Sequence, residues 1–244
     1  MILELDCGNS FLKWRLWDSR KQAVSLRGRA SDLDELVGQL ATQPYPIARC
    51  RMVSVRGVEE TSALVARLEM VTGVAPVLAR STMVLAGVSN GYAEYERLGV
   101  DRWLAVVAAY NRVRSPCVVI DVGTAVTVDY VQGSGVHIGG YIAPGLPLLR
   151  KLLTDNTGGV RYQAVEQTRA ARSVPGVRTA DAVERGCELM VRDFVSARIV
   201  AAEALLGKEV VILMTGGDAA LAEGFAQVQF VEDLVFEGLA IACP

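Results

Sequence analysis

Apolar positions along the chain fall into short runs and helical stripes, and the order of these segments repeats. Residues 2–7 (Ile2-Leu3-Glu4-Leu5-Asp6-Cys7) form a mainly apolar run with Asp6 near its end. Gly8-Asn9-Ser10 turns the chain, and Phe11-Leu12-Lys13-Trp14-Arg15-Leu16-Trp17 returns. Short apolar runs bounded by Gly and Asn predict strand, tight turn and strand. Residues 23–29 supply a third strand. Ser31 then caps a helix reaching about Thr42, with Asp34 at the capping-box position. A strand over 51–55 follows, then a helix over 58–72 with Leu64, Val65 and Leu68 on its apolar side. A short strand over 76–79 and a helix over 102–113 complete this stretch.

The pattern then restarts. Cys117-Val118-Val119-Ile120-Asp121 is an apolar run ending in aspartate, Gly123-Thr124 turns, and residues 125–131 return. A third strand covers about 136–143. Helices are predicted near 145–153 and 178–206, a strand over 210–214, a helix from about 218 and a closing helix near 234–242. Thr154 to Gly159 reads as a loop. Internal repetition outweighs other fold signals. The prediction is an α/β protein of two related halves, 1–116 and 117–244, with an interdomain cleft where such sheets take ligands.

Composition narrows the chemistry. The chain has 244 residues, 51% hydrophobic, with a net charge of −2. No strong positive field advertises nucleic acid or an anionic membrane. No apolar stretch reaches the roughly 18 to 20 residues of a membrane helix. Met1 leads straight into Ile2-Leu3-Glu4-Leu5 without a basic segment and apolar core, so no secretory leader is expected. Cysteines at 7, 50, 117, 187 and 243 are odd in number and lack CxxC spacing, which fits reduced core thiols in a cytoplasmic protein. The single histidine, His137, rules out HExxH and multi-histidine zinc sites; its place in a Gly-flanked strand favours a structural role.

The matched turns Asp6-x-Gly8-Asn9 and Asp121-x-Gly123-Thr124 carry the first chemical signal. An aspartate at a strand end offers oxygen to a hard cation, a glycine lets backbone approach an anion, and successive N–H groups cradle phosphate oxygens. Lys13 adds a compact positive charge. One such turn is a common sequence; two at equivalent places in a repeat point to polyphosphate. Thr215-Gly216-Gly217-Asp218 reads either as a turn with Asp218 as helix cap or as a close approach to a flat ring such as adenine. Gly139-Gly140 and Pro144-Gly145 bracket another strand end. Asp101, ahead of Arg102 and Trp103, is either a helix cap or a general base with Arg102 orienting an anion.

These segments together resemble the type III pantothenate kinase family over essentially the whole chain. Asp6-Cys7-Gly8-Asn9-Ser10-Phe11-Leu12-Lys13 matches the family's first phosphate motif, with Ser10 where threonine is commoner. Tyr92 and Gly99-Val100-Asp101-Arg102 match its substrate segment. Residues 121–129 match the second phosphate motif, Gly139 to Gly145 a Gly-Gly-x-Ile-x-Pro-Gly segment, and residues 215–218 the adenosine-side turn. Thr179 matches the threonine before the long helix.

The resemblance implies the duplicated actin-like fold of acetate and sugar kinases, with two RNase H-like halves. It implies ATP and pantothenate as substrates, 4′-phosphopantothenate as product, and the first step towards coenzyme A. It also implies Mg²⁺, a monovalent cation (K⁺ or NH₄⁺) and a homodimer with shared active sites. By the resemblance, Asp101 is the proton acceptor and Asp121 the monovalent-cation ligand. Residues 6–13 and Thr124 touch ATP, with Asp6 holding Mg²⁺ directly or through water. Tyr92, Gly99, Val100, Asp101, Arg102 and Thr179 touch pantothenate. Met190, Phe194 and Ile199 on the long helix are candidates to face a partner. Three other readings compete: a sugar or acetate kinase, a non-catalytic nucleotide-binding regulator and a filament-forming ATPase. The Tyr92–Arg102 segment, the intact Asp101 and Lys13, and the short chain argue against them in turn.

Overall fold

The computed structural model describes residues 1–161, 174–218, 221, 224, 225 and 227–244. The first three strands are β1 (Ile2–Cys7), β2 (Leu12–Asp18) and β3 (Ala23–Ala30), which run as an antiparallel meander. Then come α1 (Leu33–Ala41), β4 (Arg49–Ser54), α2 (Val58–Thr72) and β5 (Val77–Leu78). A small hairpin, β6 (Val84–Leu85) and β7 (Val88–Ser89), and a 3₁₀ turn at 95–97 lead into α3 (Val100–Val113). The second series is β8 (Cys117–Val122), β9 (Ala125–Val131), β10 (His137–Pro144), α4 (Leu146–Asn156), α5 (Thr179–Leu206), β11 (Val211–Thr215), β12 (Val228–Phe230) and α6 (Leu234–Ala242).

The sheet orders are β3-β2-β1-β4-β5 and β10-β9-β8-β11-β12. Each sheet has two antiparallel pairs formed by its opening meander and two parallel pairs beyond it. Strand for strand this is one topology used twice, the duplicated actin-like fold. The chain divides into two compact units, residues 1–112 with 233–244, and residues 113–232. The closing helix therefore joins the first unit, packing on β1 and β4, instead of the second half where chain order put it. Its anchor is ionic: Asp233, just ahead of α6, accepts a 2.7 Å bond from Arg15 on β2.

Alternation of side chains sorts the faces of both sheets. Leu3, Leu5, Cys7, Leu12, Trp14, Leu16, Cys50 and Met52 point to one side of the first sheet, where Leu36, Leu40, Leu64 and Leu68 of α1 and α2 complete the core. In the second unit, Val118, Ile120, Val122, Val126, Val128 and Tyr130 pack with Val183, Cys187, Val191, Val195 and Ile199 of α5.

The helices at 58–72 and 234–242 match the sequence-based bounds. Others differ. Asp32, not Ser31, is the N-cap of α1, because its Oδ1 accepts from Glu35 N–H at 2.9 Å. Glu35, not Asp34, folds back to Ser31 N–H. The loop read at Thr154–Gly159 begins later, since α4 runs through Asn156. The helix expected from about 218 falls largely on positions outside the described residues. All five cysteines are free and buried. Among the described residues, no helix is long and apolar enough to cross a membrane.

Candidate active site

The residues of the first phosphate motif form the end of the β1–β2 hairpin. Register places Asp6 opposite Lys13 and Cys7 opposite Leu12, leaving residues 8–11 as the tip. Directly opposed residues share a face. Asp6 and Lys13 thus lie on one side, and Arg29 of β3 continues the row opposite Lys13. Cys7 and Leu12 turn into the core with no exposed surface. Burial pushes the Cys7 thiol up to about 12, helped by the neighbouring Asp6 carboxylate, so it is no nucleophile. These two residues offer a ligand backbone alone. Asn9, Ser10, Phe11 and Lys13 are exposed, and the Arg29 guanidinium lies 4.2 Å from the Phe11 ring centroid. From the other side, Arg56 Nε donates to the Gly8 carbonyl at 2.8 Å, a contact that no sequence pattern announces.

The segment from Tyr92 to Arg102 assembles in the same unit. Arg102 Nη1 donates to Tyr92 Oη at 2.8 Å, and its guanidinium lies 5.6 Å from the ring centroid. Tyr92 N–H bonds to Asn90 Oδ1 at 3.0 Å, and the Asn90 amide holds the carbonyls of Thr82 and Tyr95. A polar brace thus ties the 82–95 loop to the start of α3. The helix begins at Val100, two residues earlier than the sequence pattern suggested, and its first bond runs from Trp103 N–H to the Gly99 carbonyl. Asp101 is therefore a first-turn residue rather than a cap. Its Oδ1 accepts from Arg102 N–H at 2.8 Å, and its negative charge at a helix start is favoured by the exposed N–H groups.

In the second unit, Asp121 lies opposite Thr127 and Val122 opposite Val126, with Gly123 and Thr124 at the tip. Two backbone segments close on this tip. Gly145 N–H donates to the Thr124 carbonyl at 3.0 Å, and Asp218 N–H to the Val122 carbonyl at 3.0 Å. A β-carbon on Gly145 would stand 2.0 Å from the Gly123 carbonyl oxygen. One on Gly216, whose φ is +104°, would stand 2.2 Å from the Val122 oxygen and 2.6 Å from Asp121 Oδ1. Only glycine permits either approach. Thr179 is the exposed first residue of α5. His137 is buried and pairs through Nε2 with Asp129 Oδ1 at 2.9 Å, a structural role. Ile199, expected to face a partner, packs in the core, and Phe194 lies against it; Met190 is exposed, with Leu189 and Val200.

Among the described residues, no three His, Cys, Asp or Glu side chains gather into a metal-holding group. Asp6 and Asp121 each offer carboxylate oxygen, which fits ions that need few protein ligands. Mg²⁺ keeps several waters and is commonly shared between one or two carboxylates and substrate phosphates. Asp121 and the backbone carbonyls at its glycine turns offer oxygen atoms alone.

The type III pantothenate kinase family matches residues 2–201. This chain belongs to that family. A type III pantothenate kinase from Pseudomonas aeruginosa is 51% identical over 247 residues, covering 100% of this chain and 99% of its own. Among solved structures, a Campylobacter jejuni protein assigned to the Baf family of transcriptional activators aligns with a TM-score of 0.62 at 20% identity, over 98% of this chain and 95% of that one. The activator of 2-hydroxyisocaproyl-CoA dehydratase from Clostridium difficile, solved with bound ADPNP, aligns with a TM-score of 0.51 at 12% identity, over 99% and 92%. At these identities the two structures speak for the shared fold alone.

Proposed function

We propose that this protein transfers the γ-phosphoryl group of ATP to the primary hydroxyl of pantothenate, forming 4′-phosphopantothenate in the first step of coenzyme A synthesis. The observation that carries the reading is the Tyr92–Arg102 brace beside Asp101, in a chain 51% identical to a type III pantothenate kinase. Arg102 has its guanidinium fixed by a phenol and its stem buried, so it is pre-organised to hold the pantothenate carboxylate. Asp101 accepts the hydroxyl proton as the new O–P bond forms and the bond from the γ-phosphorus to the bridging oxygen breaks, releasing ADP. Phosphoryl transfer asks for positioning and charge neutralisation rather than covalent help. Lys13 and the backbone N–H groups of residues 8–10 serve the phosphates, and Thr124 contacts ATP. When bound, Mg²⁺ at Asp6 and a monovalent cation at Asp121 supply further neutralisation.

The reading extends to a cytoplasmic homodimer in which Thr179 of one subunit reaches the pantothenate bound by the other. Exposed Leu189, Met190 and Val200 give α5 an apolar surface suited to a second copy. The experiment is a coupled ADP-release assay with and without pantothenate, on wild type and Asp101→Asn. Losing a general base costs about 10² to 10⁴ in rate, while the melting temperature should stay put. Pantothenate-independent turnover, or an active Asp101→Asn, would refute the proposal. Subunit sharing has its own test. Inactive Asp101→Asn and Thr179→Ala chains, unfolded and refolded together, should recover about a quarter of wild-type sites. No recovery despite verified exchange would place Thr179 outside a shared site.

A further inference from the structure

We propose that Arg56 is a positioning residue for the first phosphate turn, with Glu60 holding it in place. The inference rests on the reading of residues 6–13 as the ATP turn. Its starting point is where the β1–β4 ladder ends. The parallel pairing runs to Cys7 opposite Ser54, and one more backbone bond follows, from Val55 N–H to the Cys7 carbonyl at 3.2 Å. Beyond that the strands part, and the Gly8 carbonyl lies outside the β1–β4 pairing. Arg56 reaches it instead: its Nε donates to Gly8 O at 2.8 Å, so a side chain ties the tip of the β1–β2 hairpin to the end of β4.

Arg56 is itself held at two further points. Its Nη1 pairs with Glu60 in the first turn of α2. Its backbone N–H donates to Ser54 Oγ at 3.3 Å, and Ser54 Oγ meets Thr61 Oγ1 at 2.8 Å. The Arg56 side chain is only 12% exposed, although its partner Glu60 is 54% exposed. A surface arginine seeking water would not be arranged this way.

The consequence follows from the planarity of the peptide group. In a trans peptide the carbonyl and the N–H point in opposite directions. Drawing the Gly8 carbonyl towards β4 turns the Asn9 N–H the opposite way, off the tip that also carries Ser10 and sits between Asp6 and Lys13. Glycine at 8 leaves that peptide plane free to rotate, so a fixed donor has to set it. Arg56 therefore acts on ATP through the turn, with no contact to the transferred group required.

The test uses the full-length protein, with steady-state kcat and separate KM values for ATP and pantothenate, alongside thermal melting. Arg56→Met keeps the apolar stem and removes the donors. It should raise the ATP KM about tenfold, the size of one charge-assisted hydrogen bond, and leave the pantothenate KM within about twofold. Arg56→Lys can still donate to Gly8 O and should regain part of the loss. Glu60→Gln should shift the ATP KM in the same direction by less. An ATP KM unchanged in Arg56→Met, or both KM values rising together with a lowered melting temperature, overturns the proposal. If Arg56→Met does not fold, Arg56→Lys and Glu60→Gln decide, and an unchanged ATP KM in both overturns it. Lys13→Met separates this from the underlying reading: if it too leaves the ATP KM unaltered, the turn is not the ATP turn.

Discussion

Glu4→Gln should destabilise the first unit by about 3 to 5 kcal/mol. Glu4 has no exposed surface, yet it sits in the middle of β1 among core residues. Register sets it opposite Arg15 on β2 and Arg51 on β4, a charged row across three strands. Its Oε2 accepts from Arg15 Nε, and its Oε1 meets Arg51 Nε at 2.8 Å and Nη2 at 2.6 Å. Arg15 goes on to Asp233 at 2.7 Å and lies 4.7 Å from the Phe236 ring centroid. Arg51 reaches the Cys243 carbonyl at 2.9 Å. Glutamine keeps the shape but removes the charge, and its NH₂ would face a guanidinium, donor against donor. Arg15 would keep Asp233 as a carboxylate partner, while nearly buried Arg51 would keep the Cys243 carbonyl and lose the carboxylate that this network gives it. For a chain of this length each kcal/mol moves the melting temperature by roughly 2 to 4 °C, so a fall on the order of 10 °C is expected. Circular dichroism or calorimetric melting reads it directly. A fall below about 3 °C would refute the argument. The combined variant Glu4→Leu with Arg15→Met and Arg51→Met should recover much of the loss, since apolar replacement of a whole buried ionic group is often neutral or better.

Three further outcomes are expected. Gly145→Ala should cut activity by more than tenfold and lower the melting temperature, because its β-carbon collides with the Gly123 carbonyl; Gly38→Ala, with nothing within 4 Å inside α1, should instead stabilise by about 0.5 to 1 kcal/mol. Replacing K⁺ by Na⁺ at matched ionic strength should lower turnover, and Asp121→Ala should abolish the difference; equal rates of the wild type in both salts would remove the cation assignment. Burial pushes the thiols of Cys7, Cys50 and Cys117 from 9.0 up to about 12, so their contribution to stability is present below pH 9.0 and is lost as pH climbs towards 12. Urea unfolding between pH 8 and 11 should show that decline, and a Cys7→Ala/Cys50→Ala/Cys117→Ala variant should flatten it.

The sequence made the repeat legible because both halves announce it locally, with an apolar run, an aspartate and a glycine turn. The bounds read for α2 and, approximately, for α6 match the structure as well, and Gly57 and Gly73 flank α2 there. Misreadings arose where two neighbours were equally suitable. Ser31 and Asp32 are both good caps, and only the placement of Leu36 and Leu40 on the core face decides between them. On α5, Ile199 is buried and Val200 exposed, one residue or about 100° apart, and an alanine-rich helix carries too weak a stripe to set the rotation. Asp101 became a first-turn residue because the Gly99 carbonyl starts the helix. Arg56 and Glu4 were invisible for another reason. Their partners are distant in sequence, Gly8 for one and Arg15 and Arg51 for the other, and pairing across strands leaves no local period. An ionisable residue inside an apolar strand on each of three strands was the available clue.

The two turns begin from one pattern but differ in what the register sets opposite each aspartate. Opposite Asp6 the register puts Lys13; opposite Asp121 it puts Thr127. A lysine beside a carboxylate offsets its charge and leaves a net-neutral pair next to backbone donors, which suits an incoming polyphosphate. Threonine brings no charge to its place opposite Asp121, which accords with the cation proposed there. The way each tip is held follows the same division. The first tip is longer, spans residues 8–11, and is steadied from outside by the Arg56 guanidinium. The second is shorter and is closed by backbone, with the Gly145 and Asp218 N–H groups on its carbonyls. A charged clamp supports a turn that must meet a mobile anion. Carbonyls held by neighbouring N–H groups give an ion site its fixed oxygen geometry. On the proposed reading both turns meet ATP, and the difference in register, lysine against threonine, bears on which of them also takes the monovalent cation. The exchange Thr127→Lys tests that division: it should abolish the dependence on K⁺ by placing an ammonium where the cation sits, as a rate independent of K⁺ concentration would show, whereas a dependence like that of wild type would refute it.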